Sequence, residues 1–273
     1  NGDEVEWYSH FADRYDIVYK SKVFSFSPDF NEVINADKVV KGGTGYDIKL
    51  VNGREIFTPS APLPKEVEHI MPDYSLYGII DTAYGFLSRG CPRGCSFCHT
   101  AAMQGNSVVR FAGLDEFWNG QKHIEVLDPN ITACRDKRDL FSQYIDTRAT
   151  ICFNQGLDIR LINDKDIEDI NHMRIKDIHF AWDNPKDDLE GKFREWAKGF
   201  RRKSNIGMVY VLVNFDSTME ENLYRIQVLR DLHFDPYVMV YDKPHAPKEI
   251  KRLQRWCNNK IIFKKCPRFE DYH

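Results

Sequence analysis

From about residue 80 onward, hydrophobic positions fall in short runs separated by longer amphipathic stretches. Six runs have strand character: 84–90, 123–130, 149–162, 176–184, 206–217 and 234–243. Four stretches between them have helical spacing: 135–146, 165–174, 188–200 and 218–232. In the last, Leu223, Ile226 and Leu229 share a face, Ser217-Thr218 offers a cap, and Glu220-Glu221 lies in the first turn. Such alternation predicts repeated βα units on a mainly parallel sheet. Six units are too few for a closed eight-stranded barrel, so the expectation is α/β with an open, partial (β/α)6 barrel.

Parity sharpens the picture, because successive strand side chains point to opposite faces. Phe153, Leu157 and Ile159 are expected to face the helices, leaving Asn154, Asp158 and Arg160 for the inner face. Ile178, Phe180 and Trp182 oppose His179, Ala181 and Asp183 in the same way. Val209, Val211 and Val213 oppose Tyr210, Asn214 and Asp216. Polar residues also gather where each run ends, as at Asp128-Pro-Asn130, Asp158-Ile-Arg160 and Asp183-Asn184. In parallel α/β sheets, sites collect at the carboxyl ends of the strands.

Before residue 80 the rhythm is weaker. Runs 16–27 and 36–48 resemble short strands around the turn Gly42-Gly43-Thr44-Gly45, and 5–11 (VEWYSHF) is strand-like. The proline-bearing stretch 59–72 has linker composition. The expected division is a small, incomplete α/β (flavodoxin-like) extension with its linker over 1–78, then a main domain over 79–273.

A hydrophobic content of 42% supports one large core, or one core plus a small domain. The net charge of −3 gives no overall electrostatic case for nucleic acid or a membrane surface. The densest basic run, 198–203 (KGFRRK), reads as a solvated helix face. No run approaches the ~18 apolar residues of a membrane span, and no signal-peptide pattern is visible. Seven cysteines, an odd count in a chain too large to depend on disulfides, point to a reducing, cytoplasmic setting.

Three of the seven crowd into residues 91–98, as Cys91-x3-Cys95-x2-Cys98, on a loop stiffened by Pro92 and freed by Gly90 and Gly94. Three converging thiolates suit an iron–sulfur cluster. A four-iron cubane with three local ligands keeps one iron open, which a reactive site needs. Three other readings remain open. Cys95-Ser-Phe-Cys98-His99 matches the c-type haem attachment motif, although Cys91 would be left over. The three thiols with His99 would, on the second, hold structural zinc, making this a zinc-stapled binding protein. Chance clustering of buried thiols is the third. Cys134, Cys152, Cys257 and Cys266 are scattered, which suits buried small hydrophobes better than an auxiliary cluster.

The loop C-x3-C-x-Φ-C after a strand, with Phe97 as Φ, resembles the radical S-adenosylmethionine superfamily. That resemblance, together with the six-strand rhythm, covers roughly 70% of the chain, from about 80 to 265. It implies a partial (β/α)6 barrel and a [4Fe-4S] cluster on Cys91, Cys95 and Cys98. The amino and carboxylate groups of S-adenosylmethionine would chelate the open iron. Reductive cleavage would give a 5′-deoxyadenosyl radical that takes hydrogen from a substrate. The electron would come from a donor of the flavodoxin or ferredoxin type. The resemblance places Phe97 near the adenine and makes Arg160 a candidate for the methionine carboxylate. Asp158, Asp183 or Asp216 would meet the ribose hydroxyls. Where the family often carries a Gly-Gly-Glu-like stretch, this chain has Leu127-Asp128-Pro129-Asn130, so Asp128 or Asn130 would have to serve the amine. The first 80 residues loosely resemble a cobalamin-binding-type domain, but D-x-H-x-x-G is absent and cobalamin is not expected. Neither the substrate nor a catalytic side chain is legible.

Overall fold

The computed structural model describes residues 3–11, 14–51, 54–58, 63–202 and 206–273. Residues 1–2, part of the expected linker (59–62) and Lys203 of the basic run lie outside the described residues. Strand β1 (Tyr15–Ser21) pairs in parallel with β2 (Ala36–Gly42). A short helix α1 (Thr44–Asp47) leads to an antiparallel hairpin of β3 (Ile48–Val51) and β4 (Arg54–Phe57). Helix α2 (Lys65–Glu68) comes next. The extension therefore holds strands where 16–27 and 36–48 suggest them, but its β1–β2 crossover carries no helix, unlike a flavodoxin-like unit. The stretch 5–11 is not a strand. Among the described residues it joins no sheet, and its aromatics pack edge-on instead: Trp7 on Tyr77, and Tyr8 on Phe30.

The boundary expected at 75–80 falls on a 3-10 turn (Ser75–Tyr77) and the residues that lead into β5 (Thr82–Gly85). Side chains pin this connector to the main domain. The Tyr74 hydroxyl accepts from Tyr84 N at 2.9 Å and donates to Tyr84 O at 3.0 Å. Arg89 pairs with Glu68 at 2.5 Å while its guanidinium lies 3.7 Å from the Phe111 ring centroid.

After β5 come the short strand β6 (Ser88–Arg89), helix α3 (Thr100–Gln104) and β7 (Val109–Arg110). Then strands and helices alternate: β8 (His123–Val126), α4 (Lys137–Ile145), β9 (Thr150–Leu157), α5 (Asp164–His172), β10 (Ile175–Ala181), α6 (Glu190–Gly199), β11 (Met208–Val213), α7 (Met219–Asp231) and β12 (Asp235–Val240). Two further helices, α8 (Lys248–Asn258) and α9 (Lys260–Lys265), end the fold. Strands β5, β8, β9, β10, β11 and β12 form one sheet, every pair parallel, in the order they occur in the chain. Right-handed crossovers in a single direction put the connecting helices on one face. That face is the core: Ile124, Val126, Phe153, Ile178, Phe180, Trp182, Val209, Val211 and Val213 are all almost fully buried. Each such side chain contributes roughly 1.5–3 kcal/mol on leaving water. The alternate residues His123, Glu125, His179, Tyr210 and Tyr237 stay partly open on the other face. The predicted parity of β10 and β11 is therefore observed.

Strand β9 also buries Phe153 and Leu157 as predicted, but its pairing is irregular. Ile178 faces Phe153, yet Phe180 faces Leu157, so two extra residues bulge from β9 around Gly156, whose φ is +90°. The Phe153 carbonyl accepts a hydrogen bond from His179 Nδ1 at 3.1 Å. The same face is kept only because the bulge adds an even number of residues.

Helix α7 starts as its sequence indicates. Thr218 Oγ1 accepts from Glu221 N at 3.2 Å, and Glu221 Oε2 accepts from Thr218 N at 2.7 Å. Thr218→Ala removes this cap and is expected to cost about 1 kcal/mol, a fall of about 2–4 °C in Tm by calorimetry. Among the described residues no helix is long and apolar enough to cross a membrane.

Candidate functional site

The cysteine loop leaves the sheet at the carboxyl end of β5. Antiparallel pairing of β6 with β7 closes its base, and Cys91 N donates to Gly105 O at 3.0 Å. Gly90 opens the loop with φ +98°, and a Cβ there would lie 2.0 Å from Ser107 O, so only glycine fits. Asp128, just past β8, anchors this base. Its buried carboxylate accepts from Leu87 N (3.0 Å), Ser88 N (2.5 Å) and Ser88 Oγ (2.6 Å). Burial pushes its pKa up to about 6, with those Ser88 and Leu87 hydrogen bonds pulling back. The carboxylate thus takes two backbone N–H groups and the Ser88 hydroxyl, and holds the base of the loop; no donor at the open side of the site is among its partners. Asn130 is different. It is buried, accepts from Thr132 Oγ1 at 2.9 Å, and directs Nδ2 at Cys91 Sγ, 3.6 Å away.

Cys91 and Cys95 are half-buried, Cys98 is exposed, and all three thiols are free. Cys98 Sγ donates to Thr100 Oγ1 at 3.2 Å. Burial raises the pKa of Cys95, helped by the neighbouring Cys98, Asp183 and Cys91 and opposed by Arg93. Among the described residues no three His, Cys, Asp or Glu side chains are gathered tightly enough to hold a metal ion. The donor set fits an iron–sulfur cluster in kind: three unbridged thiols on one glycine-hinged loop, one of them touched by a buried amide N–H.

The loop lies across the carboxyl ends of later strands. Phe97 meets Phe215, beyond β11, edge-on at 5.4 Å, and Phe215 meets Tyr241, beyond β12, at 4.8 Å. Arg93 lies 3.8 Å from Asp187, in the loop after β10. Asp187 also accepts from Arg160 Nη1 at 2.6 Å, and Asp158 accepts from Arg160 Nε at 2.6 Å. Asp158 and Arg160 reach this point through a 3-10 turn (Ile159–Leu161) that Asp158 caps; strand alternation stops at Leu157. Asp158 Oδ2 is buried and has no hydrogen-bond partner. A buried carboxylate oxygen without a donor is costly and marks a place where a ligand donor would be welcome.

Asp183 lies two residues past β10. Burial pushes its pKa up to about 6, while a Leu212 backbone hydrogen bond, Arg225 and Arg160 pull it back. Arg225, wholly buried on α7, donates to the carbonyls of Trp182 (2.5 Å), Asp183 (3.0 Å) and Leu212 (3.0 Å), and so clamps the ends of β10 and β11. Asp216 does not join the group. Asn214 has φ +65°, the strand alternation breaks there, and the Asp216 side chain is 73% exposed beside Lys186. The structure thus gathers Cys91, Cys95, Phe97, Asn130, Asp158, Arg160 and Asp183, and adds Arg93, Asp187 and Arg225. Asp187 lies in a polar loop and Arg225 within a helix, where one sequence gives no sign of their targets.

The open sheet face beneath this end carries its own polar row. Asn154 Nδ2 donates to Glu125, Cys152 Sγ donates to Asn154 Oδ1 at 3.1 Å, and the His179 ring lies 5.5 Å from that of Tyr210. The chain matches no protein-family model and no curated protein.

Proposed function

We propose that the chain is a radical S-adenosylmethionine enzyme built on a partial (β/α)6 barrel. The observation that carries this reading is the loop Cys91-x3-Cys95-x2-Cys98 lying over the carboxyl ends of six parallel strands in chain order. Cys91, Cys95 and Cys98 would hold a [4Fe-4S] cluster. When bound, such a cluster supplies one electron that cleaves the S–C5′ bond of S-adenosylmethionine and yields a 5′-deoxyadenosyl radical. The protein's own groups bind and orient. Asn130 places an N–H on Cys91, and hydrogen bonds to cluster sulfurs tune such sites. Arg160, braced by Asp158 and Asp187, presents a fixed guanidinium suited to a carboxylate. Asp158 Oδ2 and Asp183 offer acceptors for hydroxyl or ammonium donors. Phe97, Phe215 and Tyr241 form an aromatic wall suited to a purine. The row from Glu125 to Tyr210 on the open face would meet the substrate.

Metal analysis of anaerobically purified protein tests this. About four irons per chain and a brown colour are expected. One zinc per chain and a colourless preparation would replace the reading with a zinc-stapled binding protein.

A further inference from the structure

The opposite end of the sheet, where the strands begin, carries a row of cations. Arg148 precedes β9, Arg174 precedes β10, and Arg202 reaches β10 from the approach to β11. They are separated by 26 and 28 residues in the chain and become neighbours only through the sheet. Arg174 Nη1 donates to Arg148 O at 2.7 Å, and Arg202 Nη1 donates to Lys176 O at 2.7 Å and to Ile175 O. Arg174, Arg201 and Arg202 line one shallow cleft of about 190 Å³. All five cations, Lys176 included, are exposed.

Their hydrogen bonds go to carbonyls, which leaves the charge in place. Among the described residues no carboxylate lies within 4.0 Å of any of these five cations; Asp146 and Asp177 are the acids on the same segments. Lys122, which precedes β8, and Lys260, near the start of β12, extend the row but are paired with Asp81 and Asp235. A weakly acidic chain thus concentrates unneutralised positive charge at one edge, far along the strands from the acidic site end.

We propose that this edge binds the sugar–phosphate backbone of a nucleic acid. Arg174 reaches the segment before β9 and Arg202 reaches the start of β10, so the cation heads follow one another across the sheet as a line, which suits a continuous chain of phosphates. Guanidinium forks suit phosphate oxygens. The carboxylates of an acidic protein form no such continuous chain. The cysteine loop plays no part in this binding, so the test stands whether or not the radical reading does.

The test is fluorescence anisotropy of the whole chain with labelled 20-nucleotide single-stranded RNA, the same DNA strand, and its duplex, from 50 to 200 mM salt. Binding to at least one is expected, with log K falling against log salt at a slope of about −3.5 for five single-strand phosphates. R148Q/R174Q/R202Q should bind at least ~10-fold more weakly and lose most of that slope. Because Arg174 and Arg202 also brace backbone, K176Q/R201Q serves as a second variant and should weaken binding about fivefold or more by loss of two phosphate contacts. Three results would overturn the proposal: no binding at 50 mM salt, unchanged binding in folded variants, or equal competition by poly-L-glutamate. A variant that merely melts earlier and binds unchanged would show that these cations serve the helix ends.

Discussion

Single replacements Cys91→Ser, Cys95→Ser and Cys98→Ser are each expected to abolish the proposed iron retention and S-adenosylmethionine cleavage while leaving the fold intact. A three-thiolate site has no spare ligand, and serine is a poor donor to iron–sulfur clusters. Metal binding must also displace the proton of a thiol such as Cys95, so its loss cannot be compensated by a neutral hydroxyl. The fold survives because none of the three belongs to the hydrophobic core, which is built from the opposite sheet face and its helices. Iron content, the ~400 nm absorbance and far-UV circular dichroism of each variant check this. The scattered thiols provide the control. Cys257 is buried and pushed up to about 12, so Cys257→Ala should lower stability and keep iron. Iron retained by any of the three loop variants at the wild-type level would contradict the assignment of that residue.

Asp128→Ala is the largest expected loss of stability outside the core. It strands three donors, Leu87 N, Ser88 N and Ser88 Oγ, in a buried place. An unsatisfied buried group costs about 1–3 kcal/mol, and removal of a buried carboxylate returns part of that, so a net loss of about 3 kcal/mol is expected. Iron retention should fall as well, because these donors fix the base of the cysteine loop. The loss is pH-dependent with a definite sign. The folded pKa, about 6, lies above the ordinary 3.8. The folded protein therefore binds more protons between those values, and the wild type gains stability as pH falls from 7 towards 4. The variant lacks that gain, so the gap should widen by on the order of 1 kcal/mol between pH 7 and pH 5. Urea unfolding of both proteins at the two pH values measures it, and other titrating groups cancel in the difference. A gap that narrows at pH 5 would contradict this role of Asp128.

Much of this architecture is legible in the residues. Short apolar runs locate all six strands, and parity sorts Val209, Val211 and Val213 from Tyr210 correctly because β11 is regular. What fails does so where the backbone leaves a strand. Asp158 and Arg160 arrive through a 3-10 turn, and Asp216 is lost to solvent after the positive φ of Asn214. Alternation holds only for an extended chain, and neither segment is one. Asp128 reads as a ligand in sequence because its hydrogen-bond donors lie some 40 residues away, on the far side of the cysteine loop's approach. The 5–11 segment has strand composition but joins no sheet among the described residues. Arg201 and Arg202 stand in the basic run 198–203, but the row they belong to does not show in the sequence: Arg148, Arg174 and Arg202 lie 26 and 28 residues apart, whereas the sheet makes them adjacent.

The central claim is that the loop over the strand ends makes a reactive site of the radical S-adenosylmethionine type. Its most direct test is product analysis. Iron-loaded protein, reduced anaerobically with dithionite in the presence of S-adenosylmethionine, should release 5′-deoxyadenosine, and the Cys95→Ser protein treated alike should not. Wild-type protein carrying about four irons per chain that releases no 5′-deoxyadenosine would contradict the claim.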